Sequence, residues 1–431
     1  MGRRCLCDTI KPILKLSQLL GVIPLNLDHE KNSAGEKTGS CELTFNWKSL
    51  STFLNTSFIF FFLLISPIAH SEIRDRMSIV FSGTDLYAFS LQTVAMVLET
   101  TILLTVGRLY QGKFSRGWSS LNEVFHAICD SADDLKQIKL GSYITALIIM
   151  MEGVFFFIFM YLTSHRVLLY QSCTALLIGT FVISLTLIIP YIMSTLFLFI
   201  CLLIRSHFLK ISEMLKTVVT KQNSPKLSSK IDALRILHEQ LCQTVTYFED
   251  FFGFQVLLTL CTCCFTVTVG AYACIIHDTS SPQGKELTGA WGMQLYCAAI
   301  FILLILISGQ LVTNAAASPG PVLNAIPLTE LDQLSQIQVT AFLSKISAFP
   351  TKMSAVKITT ISTTFLASAA TNITTYLLVL MQFKLSVENR FDDDVENLTS
   401  QVGGFEMDPS TEPIFYNVTT PESLAFLTES L

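Results

Sequence analysis

Residues Thr374–Phe383 read TTYLLVLMQF and close the last long apolar run of the chain. Hydroxyls at Thr371, Thr374 and Thr375 pass through the middle of that run, and an amide, Gln382, stands near its end. Lipid offers such groups no partner, so the pattern points to a helix with water on one side. Alternate steps of four and three back from Gln382 reach Leu378, Thr375, Thr371, Ser368 and Thr364, which share one helical stripe. Val379, Ile373 and Phe365 fall off it. Several copies of the stripe around one axis would offer neutral oxygens to partly hydrated cations, with no fixed charge to hold an ion back. Leu378 and Phe383 interrupt the polar lining and are placed to form a constriction that dewets. The plainer reading of Ser and Thr in a membrane helix is close packing between helices. The whole stripe, ending in an amide and placed last among the apolar runs, favours the pore.

The rest of the chain agrees with a membrane setting. Of 431 residues, 51% are hydrophobic and 14% charged, and the mean hydropathy is +0.54. A soluble domain carries about 25% charge. Crossing a bilayer as helix takes about 20 apolar residues, and runs that qualify lie at 50–69, 86–107, 141–163, 173–204, 255–277, 290–312 and 358–383. The expected fold is an all-α membrane protein with seven transmembrane helices. Residues 1–49 are expected to form an N-terminal segment with an amphipathic helix. Residues 50–383 form the transmembrane body, with the pore helix at 358–383, and 384–431 an acidic, disordered tail. The opening MGRRCLCDTIKPILKLSQLLG lacks the apolar core and small-residue cleavage site of a signal peptide. In LTLCTCCFTVTV, Cys261, Cys263 and Cys264 lack zinc spacing and His partners, so they read as small packing residues. No metal or other cofactor is expected. Cys5 and Cys7, beside Arg3 and Arg4, are candidates for palmitoylation.

Basic residues orient the spans. Twenty-one Lys and Arg fall in the N-terminal segment and the connections on its side, against six in the other connections and the tail, with Lys357 at the membrane edge. The positive-inside rule places the N-terminus in the cytoplasm and, after seven crossings, the C-terminus outside. The tail agrees, with the acidic run FDDDVEN and glycosylation sequons at Asn397 and Asn417. Two further sequons, at Asn55 and Asn372, lie inside spans and carry no such meaning. G-protein-coupled receptors have the opposite orientation. Their acidic-Arg-aromatic triplet after the third span and Asn-Pro-x-x-Tyr in the seventh are also absent, where this chain has MYLTSHRV and TNITTYLL. An odd number of spans argues against a transporter built from two inverted repeats.

Thr375-Tyr376, five mostly apolar residues and Gln382-Phe383 resemble the signature of the seventh span of insect gustatory receptors. IKPILKLSQLLGVIPL, with Leu20-Gly21 and Pro24, is similar to that family's opening, as are the long basic fourth-to-fifth connection and the short outer loops. The resemblance implies a tetrameric ligand-gated cation channel with the seventh helices around the pore. It implies homo- or heterotetramers with related subunits, a small-molecule tastant or gas as ligand, and the plasma membrane of a sensory-neuron dendrite. Two departures stand out. Leu377 follows the Thr-Tyr pair where sugar-sensing members often have Glu, and the chain continues past Gln-Phe to Leu431. TYLLVLMQFKLS and SGQLVTNAA resemble most the carbon-dioxide-sensing clade. Fructose-type and bitter-type receptors are the alternatives, as is a metabotropic or accessory subunit without pore activity of its own.

In this orientation the outer ends of the other helices hold Tyr87 and Gln92, Tyr161, Tyr170 and Gln171, Tyr272 and His277, and Trp291, Gln294 and Tyr296. Aromatic walls with a few polar groups suit a small neutral ligand between helices, although Tyr and Trp also collect at membrane interfaces. Glu99 in MVLETTILL and Glu152 in IMMEGVFFF complete the ligand-facing candidates. An ionised carboxylate there costs at least about 2.5–3.5 kcal/mol, so both should face the bundle interior, be protonated, or pair with each other or with polar groups. Were the stimulus carbon dioxide or acid, such a buried carboxylate would suit a sensor. In the connection 205–254, Ile231, Leu234, Leu237, Leu241 and Val245 recur at helical spacing. That predicts an amphipathic helix prolonging the fifth span, for an intracellular hub or for the anionic inner leaflet. The seven His residues are scattered, and no nucleophile or metal ligand converges, so an enzyme is not expected. Membrane lipids are expected partners and nucleic acid is not.

Overall fold

The structure, a computed structural model, describes residues 6–31, 37–44, 46, 49–80, 84–128, 132–167, 173–220, 227–276 and 282–403. The chain forms two compact units, Met1–Leu378 and Val379–Leu431. The first opens with α1 (Leu6–Leu19), which buries Leu6, Ile10, Ile13 and Leu14 on one face and exposes Lys11 and Lys15. Its end is a glycine-dependent stop. Val22 N–H bonds to Ser17 O at 2.8 Å and Gly21 N–H to Gln18 O at 3.1 Å, with Gly21 at φ +69°. Strands β1 (Asn26–Lys31) and β2 (Lys37–Thr44) then pair antiparallel, Asn26 opposite Thr44. Ser49 caps α2 (Leu50–Val80), its hydroxyl accepting from the Thr52 N–H at 3.2 Å.

Long helices follow: α3 (Thr84–Leu109), α4 (Gln111–Ile128), α5 (Ala132–Val167), α6 (Cys173–Thr220), α7 (Leu227–Ile276) and α8 (Pro282–Ala317). Among the described residues six helices are long and apolar enough to cross a membrane: they fall in α3, α5, α6, α7 and the last helix, and in α8 with its continuation to Asn324. The apolar run of α2 is shorter, Leu50–Ile65, and gives way to Pro67 and the charged stretch that follows. At 1.5 Å per residue the 50 residues of α7 extend about 75 Å, more than twice the hydrocarbon thickness of a bilayer. The extension is the amphipathic helix that the spacing at 231–245 predicts. Ile231, Leu234, Leu241 and Val245 are buried, and Leu237 packs against the same core.

That extension is held by side chains from several elements. Phe114 of α4 meets Phe248, Phe251 and Phe252 of α7 with ring centroids 5.0–6.2 Å apart. Gly117 lets Phe248 approach, since a Cβ there would stand 3.3 Å from its ring. Lys113 closes the same contact with a 2.8 Å bond to Asp250. His238 lies between the rings of Phe208 and Phe342, both centroids 5.2 Å away, and its Nε2 is 3.0 Å from Ala316 O. The chain then runs through α9 (Pro319–Asn324), a 3-10 turn at Leu328–Glu330 and α10 (Gln333–Ala348), whose N-cap is Asp332.

The pattern 358–383 needs correction at both ends. Residues 358–363 are not helical: β3 (Ser354–Ala355) pairs with β4 (Thr359–Thr360) around a turn with Val356 and Lys357 at φ 56° and 58°. The hairpin sits where two glycines leave room. A Cβ on Gly253 would stand 2.9 Å from Val356 N, and one on Gly309 2.5 Å from Ile361 O. Helix α11 therefore begins at Thr364, and it runs on to Gly403 rather than ending at Phe383. No Pro or Gly interrupts 384–402, so nothing stops the helix before Gly403-Gly404. The expected disorder from 384 onward thus does not hold for 384–403, while 404–431 lies outside the described residues.

Candidate functional site

Within the first unit, α3, α6, α7 and α8 line a cavity of about 30 Å3. Met96 and Glu99 come from α3, and Thr186, Leu187 and Pro190 from α6. Thr262, Cys263 and Thr266 come from α7, and Gln294, Cys297, Ala298 and Phe301 from α8. Pro190 lacks the N–H that would meet Thr186 O, four residues before it. The Thr100 hydroxyl, 2.9 Å from Met96 O, also reaches that carbonyl at 3.4 Å. The break in α6 is thus partly satisfied from α3, at the cavity wall.

Glu99 is 4% exposed. Its carboxyl group lies beside the hydroxyls of Thr259 and Thr262, and its Oε1 is buried without a hydrogen-bond partner among the described residues. Glu152, on α5, meets the Tyr191 hydroxyl, and the Tyr191 ring lies 5.3 Å from that of Phe301 in the cavity wall. Both intramembrane carboxyls therefore turn to polar groups of the bundle. Gln92, 2% exposed, donates from Nε2 to Gln294 Oε1 at 3.0 Å and ties α3 to α8.

Of the candidates named from sequence, the structure brings Glu99 and Gln294 into one cavity wall, with Gln92 bonded to Gln294 and Glu152 one ring behind. Trp291 packs in a separate cluster with Val269 and Ala273, and Tyr272 is buried. Tyr161 is half-buried, while Tyr87 and Tyr296 stand at the surface, Tyr87 77% exposed. Tyr170, Gln171 and His277 lie outside the described residues. Several lining residues are absent from the sequence reading, among them Met96, Pro190, Cys297 and Phe301. One signal was available. Thr259, Thr262 and Thr266 recur at steps of three and four in LTLCTCCFTVTV, a hydroxyl stripe beside Glu99.

The last helix offers a second site. Between Thr364 and Leu378, Ala369 is the one buried residue, and Phe365, Ile373 and Leu377 are half-covered. At about 100° per residue, this apolar stripe lies about half a turn from Thr364, Ser368, Thr371, Thr375 and Leu378, all of them exposed. The hydroxyls are satisfied within the helix: Thr371 donates to Ala367 O at 3.0 Å and Thr375 to Thr371 O at 2.9 Å. Their oxygens keep lone pairs free to face water or an ion. In the second unit, Gln382 and Phe383 are exposed. Asn397 lies on the helical continuation, and Asn417 falls outside the described residues. Among the described residues no cluster of His, Cys, Asp and Glu is arranged to hold a metal.

A family model described as 7tm Chemosensory receptor matches residues 10–387. No curated protein matches the chain by sequence. Among solved structures, the insect olfactory receptor OR5 from Machilis hrabei superposes with a TM-score of 0.64 at 14% identity, covering 87% of this chain and 98% of that one. The same receptor in complex with eugenol gives a TM-score of 0.65 at 14% identity, over 88% and 98% of the two chains.

Proposed function

Since the chain belongs to the seven-transmembrane chemosensory receptor family, we propose that it is a gustatory-type receptor acting as a ligand-gated cation channel. Four copies surround one axis, each contributes α11 to the pore, and a small molecule in the cavity between α3, α6, α7 and α8 drives opening. The N-terminus is cytoplasmic, α2 supplies the first of seven crossings, and the tail is extracellular. The observation that carries this reading is the polarity of α11: its hydroxyls face outward, opposite the apolar stripe that is half-covered. A single such stripe is too narrow for an aqueous path, so a path needs a ring of subunits. Thr375-Tyr376 and Gln382-Phe383 favour the gustatory type. The eugenol complex of the neighbouring receptor supports a small organic ligand.

Recordings from cells expressing the chain, alone and with related subunits, test this against carbon dioxide, sugars, bitter compounds and small organic volatiles. Leu378→Ala should raise basal current by widening a dewetting constriction, and Gln382→Ala should change conductance with surface expression intact. Ile373→Ala, on the covered stripe, should do neither. Equal effects at Leu378 and Ile373 would remove the basis for this pore face. A ligand response with no current through any assembly would favour a metabotropic receptor.

A further inference from the structure

Resting on the cavity being the ligand site, we infer that it takes a small aliphatic amine, bound as its ammonium ion against Glu99. The charge inventory leads there. The apolar runs at 86–107, 141–163, 173–204, 255–277 and 290–312 contain two carboxyl groups, Glu99 and Glu152, and no Lys or Arg. Glu152 has the Tyr191 hydroxyl. Glu99 has the Thr259 and Thr262 hydroxyls beside it and the Cys261 and Cys263 thiols nearby, and its Oε1, buried at the cavity wall, has no hydrogen-bond partner among the described residues. A buried acceptor without a donor is costly, and a carboxyl group in an apolar span more so. A base that takes the proton of the neutral Glu99 carboxyl would answer both, bringing N–H donors to the bare oxygen and a positive charge to the carboxylate it leaves.

The surroundings fit that group. Phe301 presents an aromatic ring to the cavity, and rings attract cations at their faces. Thr262, whose hydroxyl lies beside the Glu99 carboxyl, and Thr266 belong to the same wall. Met96, Leu187, Pro190 and Ala298 form the apolar part of the lining and suit a short alkyl chain. Room is limited: about 10–15 Å3 of such space holds one water, so a cavity of about 30 Å3 admits a head of very few atoms. The amine enters from lipid or water as the neutral base. Its nitrogen takes the Glu99 proton, so the O–H bond breaks, an N–H bond forms, and an ammonium–carboxylate pair remains. An alcohol of equal size brings one donor and no charge, and a charge-assisted hydrogen bond is the stronger.

The test is thermal unfolding of the purified full-length chain with ethylamine hydrochloride or ethanol, each at equal concentration and with sodium chloride added to equal ionic strength. Ethylamine should raise the unfolding temperature by at least about 2 °C, and ethanol should not. Glu99→Gln should abolish the ethylamine shift, and Phe301→Leu should reduce it. Equal shifts from ethylamine and ethanol, or a full ethylamine shift in Glu99→Gln, would overturn the amine assignment. Should Glu99→Gln not fold, the ethylamine–ethanol comparison and Phe301→Leu still decide it. Ala298→Phe, which fills the space from α8, separates this inference from the site itself. Loss of channel responses to every ligand in Ala298→Phe, without an amine preference in the parent, leaves the site and removes the amine. Unchanged responses in Ala298→Phe remove both.

Discussion

Asn55 donates from Nδ2 to Gly21 O at 2.5 Å and to Leu104 O at 3.2 Å, joining the exit of α1 to α2 and α3. The same stretch has the form of a glycosylation sequon, which explains nothing about it; its work is to satisfy two backbone carbonyls. Gly21 is required beside it, because a Cβ there would stand 2.8 Å from Asn55 Cα. Asn55→Ala takes the side-chain donor from the buried Gly21 carbonyl, at about 1–3 kcal/mol, while Leu104 O keeps its helical N–H. It should lower the melting temperature of the detergent-purified protein, and Asn55→Gln should not restore it. Asp332 acts at a different place. The Ser335 side chain, together with the Ser335 N–H at 3.2 Å, holds its carboxyl below the ordinary value. A carboxyl depressed on folding stabilises above its unfolded value, and that contribution fades as pH falls through the folded one. Amide exchange in the first turn of α10 should therefore rise, relative to the rest of the helix, as pH drops below the ordinary Asp range. In Asp332→Ala it should be raised already at neutral pH.

Among the elements, the β3–β4 hairpin is held by what it meets rather than by its own sequence. Val356 and Lys357 take a left-handed conformation that costs non-glycine residues about 1–2 kcal/mol each. Ile361 N–H returns to Met353 O at 2.8 Å, and Gly253 and Gly309 accept the backbone at close range. Gly309→Ala forces the chain away from α8 just before α11, an overpacking that costs about 1–3 kcal/mol. It should lower thermal stability and alter gating together, whereas Gly292→Ala, with open space at its Cβ, should change neither. This contrast also shows what sequence could tell. The hydroxyl stripe of α11 was legible because periodicity is local, and so was the extension of α7 at Ile231 to Val245. The start of α11 was not, because it is set by glycines more than fifty residues away in a chain with no turn signal at Val356-Lys357. Glu99 was legible from the cost of a carboxylate in an apolar run. The cavity around it was not, because it depends on which faces of four helices converge.

For the whole molecule, the charge bias between connections predicts sidedness. A tag at Met1 should be reached by antibody only after permeabilisation, and a tag after Leu431 on intact cells. Glycosidase should lower the apparent mass, and Asn397→Gln with Asn417→Gln should abolish that shift; staining of an intact-cell N-terminal tag would reverse the assignment. From Thr364 to Leu378 only Ala369 is buried, so most of this stretch has no cover from the described residues of its own chain. In the proposed ring of subunits, a newly made protomer would hold a row of hydroxyls against lipid until its neighbours arrive. Such a surface is a natural mark of an orphan subunit for the proteases and chaperones of the secretory pathway. Abundance at the cell surface would follow the supply of partner chains more closely than the rate of synthesis of this one.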